Sequence, residues 1–393
     1  MTGWQTAIIV AYSIVVTVAL LRHLVLSQSL KATPFLKPDA QAKPVGLVSI
    51  FVPAKDEEAV IERCLRSLLA QESVAIEVFA VDDRSTDRTP EIVSLIANED
   101  SRLKLIRIAD LPPGWTGKCN ALQQGQAHGK GDWLLFVDAD TLHHPRCVAT
   151  ALHRATEQNV DLLSLLPALE AGSFWEGVIQ PFAAACLMIV YPLHWVNDPT
   201  AERYAFANGQ FILIRRSAYD KIGGHESVKD KFVEDINLAR QVRKAGLNLE
   251  LAMGPDLFAT RMYSSLSSII KGWSRIFYAA VDGRPIRLAA LTAFILVFSV
   301  AGYAAVVGGG FLWALGFGCP FTKTIFFLGV AHVLIQMTVF ARVYRVTKSS
   351  LAYLPLRFLA VGAMLWIIVK TIAMCWTHRV EWRGTTYAKG LGR

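Results

Sequence analysis

The sequence predicts an α/β domain with an open, Rossmann-like mixed sheet, set between membrane-spanning segments at either end of the chain. Three observations carry that class. Apolar residues gather at the chain start and after about residue 286, leaving a block of mixed composition between. Inside the block, short β-rich runs alternate with helical ones. The runs end in acidic loops, which would stand at the carboxyl edge of the sheet, where open α/β sheets bind ligands.

Composition supports the membrane part. Of 393 residues, 53% are hydrophobic and only 18% charged, with mean hydropathy +0.36, too apolar for an ordinary soluble enzyme. The net charge of +8 is not gathered into a Lys/Arg cluster with interleaved aromatics, which argues against nucleic acid and fits anionic lipid at a cytoplasmic face. Six cysteines show no close pairing or metal-ligand spacing and are read as reduced thiols.

Residues 1–27 form the N-terminal anchor. Ala7 to Leu26 is apolar and long enough to span, with Arg22-His23 near its far end and no small-residue cleavage site, so it reads as an anchor and not a signal peptide. The basic flank places the N-terminus outside and the following domain in the cytoplasm, at the cell (inner) membrane. Residues 28–45, with Pro34, Pro38 and Pro44, form a non-helical linker.

Residues 46–285 are the expected cytoplasmic domain. Leu47 to Val52 is a first strand ending at Pro53-Ala54-Lys55-Asp56-Glu57-Glu58, and Ala59 to Gln71 has apolar residues at helical spacing. Ile76 to Val81 is a second strand, ending at Asp82-Asp83-Arg84-Ser85-Thr86-Asp87. The glycine fingerprint of a dinucleotide fold is absent, which argues against NAD. Leu134 to Val137 is a buried strand that stops at Asp138-Ala139-Asp140. Two carboxylates two residues apart would point to one side of an extended backbone, and hard oxygen donors of that kind suit Mg²⁺ or Mn²⁺ better than Zn²⁺.

Val52-Pro53-Ala54-Lys55-Asp56-Glu57-Glu58, Val81-Asp82-Asp83-Arg84-Ser85-Thr86-Asp87, Gly117-Lys118-Cys119-Asn120-Ala121-Leu122, Asp138-Ala139-Asp140 and Val233-Glu234-Asp235 occur in one order. That series resembles family 2 inverting glycosyltransferases of the GT-A fold, in the membrane-attached branch similar to hopanoid-associated, carotenoid and ceramide-type lipid glycosyltransferases. The resemblance implies that Pro53 and Ala54 line the base pocket, that Glu57 lies near the uridine, and that Asp83 holds the uracil. It places Lys118 beside the diphosphate, Asp140 on the cation, and Asp138 on the cation or the ribose. Asp235 matches the catalytic base, with Glu234 second. His143 and His144 are candidates to complete a coordination shell, though paired loop histidines are more often plain surface. Gln210 is an acceptor-site candidate, and Trp273 and Arg275 are candidates for a lid over the diphosphate. The motif Lys271-Gly272-Trp273-Ser274-Arg275 departs from the usual Gln/Arg-x-x-Arg-Trp order.

About 174–195 is an apolar insertion flanked by Trp and Tyr, expected as an interfacial helix on the bilayer beside the site. Residues 286–376 hold three further candidate crossings, Leu288 to Phe317, Thr324 to Phe340 and Leu351 to Trp376. The basic tail 377–393 and the loop with Arg342, Arg345 and Lys348 both prefer the inside, which three full crossings after a cytoplasmic domain do not allow. One segment is therefore expected not to cross. Glu381 to Tyr387 resembles a Trp-Arg-Gly-x-x-Tyr ending of lipid-linked relatives, with Thr385 in place of a common Arg.

The function expected is transfer of a sugar from a nucleotide donor, UDP-linked, to a membrane lipid, with Mg²⁺ or Mn²⁺. The alternatives are a processive polysaccharide synthase and a non-catalytic membrane scaffold that senses nucleotide sugars. Few crossings weigh against the first, and the full set Asp83, Asp138, Asp140 and Asp235 against the second.

Overall fold

The computed structural model describes residues 2–231, 233–281, 283–377, 380–382 and 385–387. The expected basic residues Arg379, Arg383, Lys389 and Arg393 lie outside these. The described chain divides into two compact units, one of residues 33–170 and 190–262 with the C-terminal segment, the other of 1–32, 171–189 and 263–377.

The first unit is built on a sheet. Its strands are β1 (Leu47–Ala54), β2 (Ala75–Asp83), β3 (Leu103–Ile108), β4 (Trp133–Phe136), β5 (Thr141–His143), β6 (Leu162–Leu166), β7 (Ala168–Leu169), β8 (Ile212–Arg215), β9 (Leu249–Met253) and β10 (Phe258–Thr260). Among the described residues, seven of them form one sheet in the order β3-β2-β1-β4-β8-β6-β9, and β5-β10-β7 form a smaller one. β1 runs parallel to β2 and to β4, whereas β8 is antiparallel to both β4 and β6. The sheet is therefore mixed, where alternating strands and helices alone would give a parallel one and the GT-A resemblance implies the antiparallel strand. β1 and β4 carry near-continuous apolar runs and are buried along most of their length, which fits central strands covered on both faces.

Helix Ile61–Leu69 puts Ile61, Cys64, Leu65 and Leu68 on one buried face against that sheet. The linker is not a loose tether. Leu36 donates its N–H to the Met253 carbonyl at 2.8 Å, and Met253 donates back to Pro34, so residues 34–36 lie along β9 as a further edge segment. Arg146 bonds the carbonyls of Asp39 and Ala42 and holds the rest of the linker down.

The second unit is helical. Among the described residues, four helical stretches are long and apolar enough to cross a membrane: Gly3–Ala32, Pro285–Ala314, Pro320–Val346 and Leu351–Thr377. Gly308 to Gly310 do not break the second, which is a continuous helix there, but Leu296–Val300 forms a π-helical turn. Helix Phe174–Val190 is buried on every side from Glu176 to Ala183, where Phe182 stacks on Phe340. The middle of this helix is thus part of the core of the helical unit, while Phe174 is exposed and residues 187–190 are only partly covered. Helix Leu266–Ala280 also belongs to this unit, which moves the end of the sheet unit from the expected residue 285 back to about 262.

Candidate active site

The carboxyl ends of β1, β2 and β4 place three loops side by side. The first two are knitted together: Asp56 accepts from the N–H of Thr86 at 2.7 Å, while Glu57 and Glu58 donate their N–H groups to Thr89 and Asp87. Asp56 and Arg84 both take left-handed backbone angles (φ 54° and 59°), a conformation held in non-glycine residues only where the surroundings enforce it. Arg84 folds back onto the Asp83 carboxylate at 2.8 and 3.1 Å. Asp82 meanwhile accepts from Ser85 N–H and supports the turn.

Asp83 reaches the start of helix Gly117–Gln126. A Cβ on Gly117 would lie 2.3 Å from Asp83 Oδ2, so only glycine allows this approach. Thr116 caps that helix, and Lys118 follows on its first turn.

Lys118 is the hub. Its Nζ lies 2.7 Å from Asp138 Oδ1 and 2.6 Å from Glu234 Oε1, joining the turn after β4 to the start of helix Glu234–Lys244. Burial pulls the ammonium pKa down, but the carboxylates of Asp138, Glu234 and Asp235 outweigh it and hold the pKa well above its ordinary value. Asp235 stands next to this pair, its charge acting on Lys118, and takes its hydrogen bonds from the backbone. Its Oδ2 accepts from Gly209 N–H at 2.9 Å and its Oδ1 from Ile236 N–H at 2.7 Å. Burial, then the charge of Glu234, pushes its carboxyl up to about 7, against the opposing effects of Lys118 and the two N–H bonds. A pocket lined by Pro53, Lys118, Leu122, Gly209, His225 and Glu234 opens here.

The pair Asp138 and Asp140 is not on one face of a strand. β4 ends at Phe136 and residues 139–140 form a tight turn into β5, so the two-residue alternation of an extended backbone does not apply. Thr141 Oγ1 bonds the Asp138 carbonyl at 2.6 Å and Arg261 N–H bonds that of Asp140, which fixes the turn from both sides. Among the described residues, no group of three His, Cys, Asp or Glu side chains converges as a ready cation site. His143 is buried and stacked on Phe258, where burial lowers its pKa to about 3, while His144 is exposed. His143 is thus neither plain surface nor a ligand facing the site.

Pro53 and Ala54 end β1, and Glu57 begins the loop beyond it. Gln210 is buried, donating to Thr260 Oγ1 at 2.9 Å and accepting from Asn208. Trp273 is 3% exposed in the apolar core of the helical unit, and Arg275 is half-buried on the same helix.

His225 escapes a reading of the sequence. It lines the pocket, packs edge-on against Phe136 at 4.7 Å, and bonds Tyr219 at 2.8 Å. The signal lies just before it: Gly223 and Gly224 both have left-handed φ, and a Cβ on Gly224 would run into the Tyr219 ring at 2.5 Å.

Residues 49–223 match the family described as Glycosyl transferase family 2. The chain carries a family 2 glycosyl transferase domain. It is 24% identical over 231 residues to the 4,4'-diaponeurosporenoate glycosyltransferase of Staphylococcus haemolyticus, covering 58% of this chain and 60% of that protein. It is 34% identical over 223 residues to the beta-monoglucosyldiacylglycerol synthase of Synechocystis sp., covering 55% of this chain and 45% of the relative. The chain thus matches about half the length of these relatives. Among solved structures, the mannosyltransferase PcManGT from Pyrobaculum calidifontis, in complex with GDP-Man and Mn²⁺, aligns over 95% of this chain and 99% of its own, with TM-score 0.50 and 18% identity. That likeness is one of fold, and the fold is of the GT-A type.

Proposed function

We propose that the glycosyl transferase domain moves a sugar from a nucleotide donor, UDP-linked, to a hydroxyl or carboxyl of a membrane lipid, with inversion at the sugar carbon. The observation that supports this most is the Lys118 bridge, which brings the loop after β4 and the Glu234-Asp235 helix start to one point at the end of the sheet. The names of the two relatives, one a carotenoid-acid glycosyltransferase and the other a glucosyldiacylglycerol synthase, favour a lipid acceptor. Four helices long and apolar enough to cross a membrane, in the same chain, also favour a membrane acceptor.

In this reading Asp83 and the base of the first two loops hold the uracil, with Pro53, Ala54 and Glu57 around it. Lys118 faces the diphosphate and offsets its charge as the bond from sugar to phosphate breaks. Asp235 takes the proton from the acceptor hydroxyl, whose oxygen attacks the sugar carbon from the opposite face. The raised pKa of its carboxyl makes Asp235 a stronger base than a solvated aspartate. Asp138 and Asp140 are the residues that would hold Mg²⁺ or Mn²⁺. Both are hard oxygen donors, and two carboxylates leave room for water and phosphate ligands, as such ions favour. When bound, the ion offsets negative charge on the leaving diphosphate.

The test is transfer by the detergent-solubilised protein, offered UDP-sugars and a lipid extract with and without Mn²⁺. Appearance of a hexosylated or N-acetylhexosaminylated lipid supports the reading. Absence of turnover with every donor and lipid would favour a nucleotide-sugar-binding scaffold.

A further inference from the structure

We propose that helix Arg357–Thr377 lies in the plane of the bilayer, with Phe358, Trp366, Val369 and Trp376 docked on the boundary between lipid headgroups and acyl chains. The chain then crosses three times, not four.

By length and composition this helix qualifies as a span, and its neighbours decide otherwise. Helix Leu266–Ala280 lies between the end of the sheet unit and the next crossing, and at 15 residues it reaches about 22 Å, short of a bilayer core of about 30 Å. It therefore stays on the side from which the chain enters the membrane at Pro285. Helix Phe174–Val190, 17 residues, leaves the sheet unit and returns to it, so it too begins and ends on that side. Helix Arg357–Thr377 packs on these two. Ser274 Oγ donates to the Ile367 carbonyl at 3.4 Å, and Thr371 Oγ1 to the Ser274 carbonyl at 3.3 Å. Ala360, Val361, Met364, Ile367 and Ile368 share one apolar core with Val178, Ile269, Trp273 and Phe277. The crossings add to that core their near ends, Leu288 to Val300 and Phe340, while residues 301–338 contribute nothing to it.

The helix start has its own anchor. Arg357 is fully buried, bonds Gln336, and lies over the rings of Tyr303 and Phe340 at 5.3 and 4.9 Å. Gln336 bonds the Phe298 carbonyl in the π-helical turn, and Arg22 of the first crossing lies 5.7 Å from the Phe298 ring. Two guanidinium groups thus mark one level. Apart from Glu176 and Asp282, the helical unit contains no acid to neutralise them. Arg357 is held there by protein groups, which ties the start of the helix to the body of the helical unit.

The outward face fits that place. At 100° per residue, Phe358, Trp366, Val369 and Trp376 fall within about 80° of arc, and the buried residues take the opposite side. Tryptophan favours the interface, and the Lys370 amine, 5.3 Å from the Trp366 ring, sits at the stripe's edge where a phosphate would meet it. Three crossings also remove the conflict among basic flanks: the loop holding Arg345 and Lys348 and the end of the helix at Thr377 fall on one side.

Full-length protein in oriented membrane vesicles tests this with a membrane-impermeant maleimide. Native Cys319 is exposed between the second and third crossings and marks the far side. Ser350→Cys and Thr377→Cys are each added to that background. The expected result is that both new thiols react from one side and Cys319 from the other; Thr377→Cys reacting together with Cys319 overturns the proposal. Nitroxide labels placed singly at 358, 366 and 376 give an independent readout of depth. An in-plane helix gives one depth, whereas a crossing separates 358 from 376 by up to about 27 Å, and such a gradient overturns it too.

Discussion

Gly209 donates its N–H to Asp235 Oδ2 at 2.9 Å, and a Cβ at 209 would stand 3.0 Å from that oxygen and 3.2 Å from Lys118 Nζ. The bare backbone at 209 is thus what sets the position of the proposed base. Gly209→Ala should lower kcat by about 10- to 100-fold, the scale of a displaced reacting group, while UDP affinity changes little. A variant with normal kcat would show that Asp235 has freedom the reaction does not use.

Asp235→Asn is nearly isosteric and keeps the donor side intact. Turnover should fall by roughly 100-fold or more with donor affinity close to that of the parent. Asparagine is also a good helix-start residue, so a purely structural role predicts near-normal transfer instead. Loss of UDP binding together with turnover would place Asp235 among the donor ligands.

The pH dependence follows from the raised carboxyl. As a base Asp235 works deprotonated, so kcat/KM should fall as pH drops through about 7, and the limb should vanish in Asp235→Asn. Stability moves the other way. A carboxyl that titrates near 7 when folded and near 3.8 when unfolded takes up protons more readily in the native state between those values. Its destabilising charge is fully felt above pH 7 and relieved as pH falls toward 4. Asp235→Asn should therefore melt higher than the parent at pH 8, with the gap clearly narrower at pH 5. A gap that is the same at both pH values would mean that the carboxyl does not titrate in this window.

Gly117→Ala forces a methyl to within 2.3 Å of Asp83 Oδ2, so one of the two must move. UDP binding, followed by calorimetry, should weaken by about 10-fold or more, on the scale of one hydrogen bond to a charged group. Unchanged affinity would remove Asp83 from the uracil site.

Asp140→Ala should abolish the Mn²⁺-dependent part of UDP binding, because one remaining carboxylate does not hold a hydrated divalent ion and a diphosphate together. An identical UDP titration in Mn²⁺ with parent and variant would refute the metal assignment.

Much of the sheet was legible in the sequence because apolar runs ending in acids state both a strand and its edge: β1, β2 and β4 end at Pro53-Ala54, Asp82-Asp83 and just before Asp138. The turn at Ala139-Asp140 was not, since alternation along an extended chain carries no information about where the strand stops. Lys118 was legible as a cation near the phosphates, but its bridge to Glu234 reaches a segment more than 110 residues further along the chain, and no local pattern encodes it. His225 went unseen because a buried histidine is defined by what covers it. Hydropathy marks Leu351–Thr377 as a span for the same reason in reverse: it counts apolar residues without knowing whether their partners are lipid or protein.

The strand-like docking of residues 34–36 on β9 has a practical side. An uncovered β9 would leave a row of amide and carbonyl groups at the rim of the sheet, ready to recruit the rim of a second molecule. The peptide that leads from the first helix to the sheet is therefore also its selvedge. In detergent, a shortened protein beginning at Gly46 would keep every site residue and yet self-associate more than one beginning at Thr33, which retains the segment that covers β9.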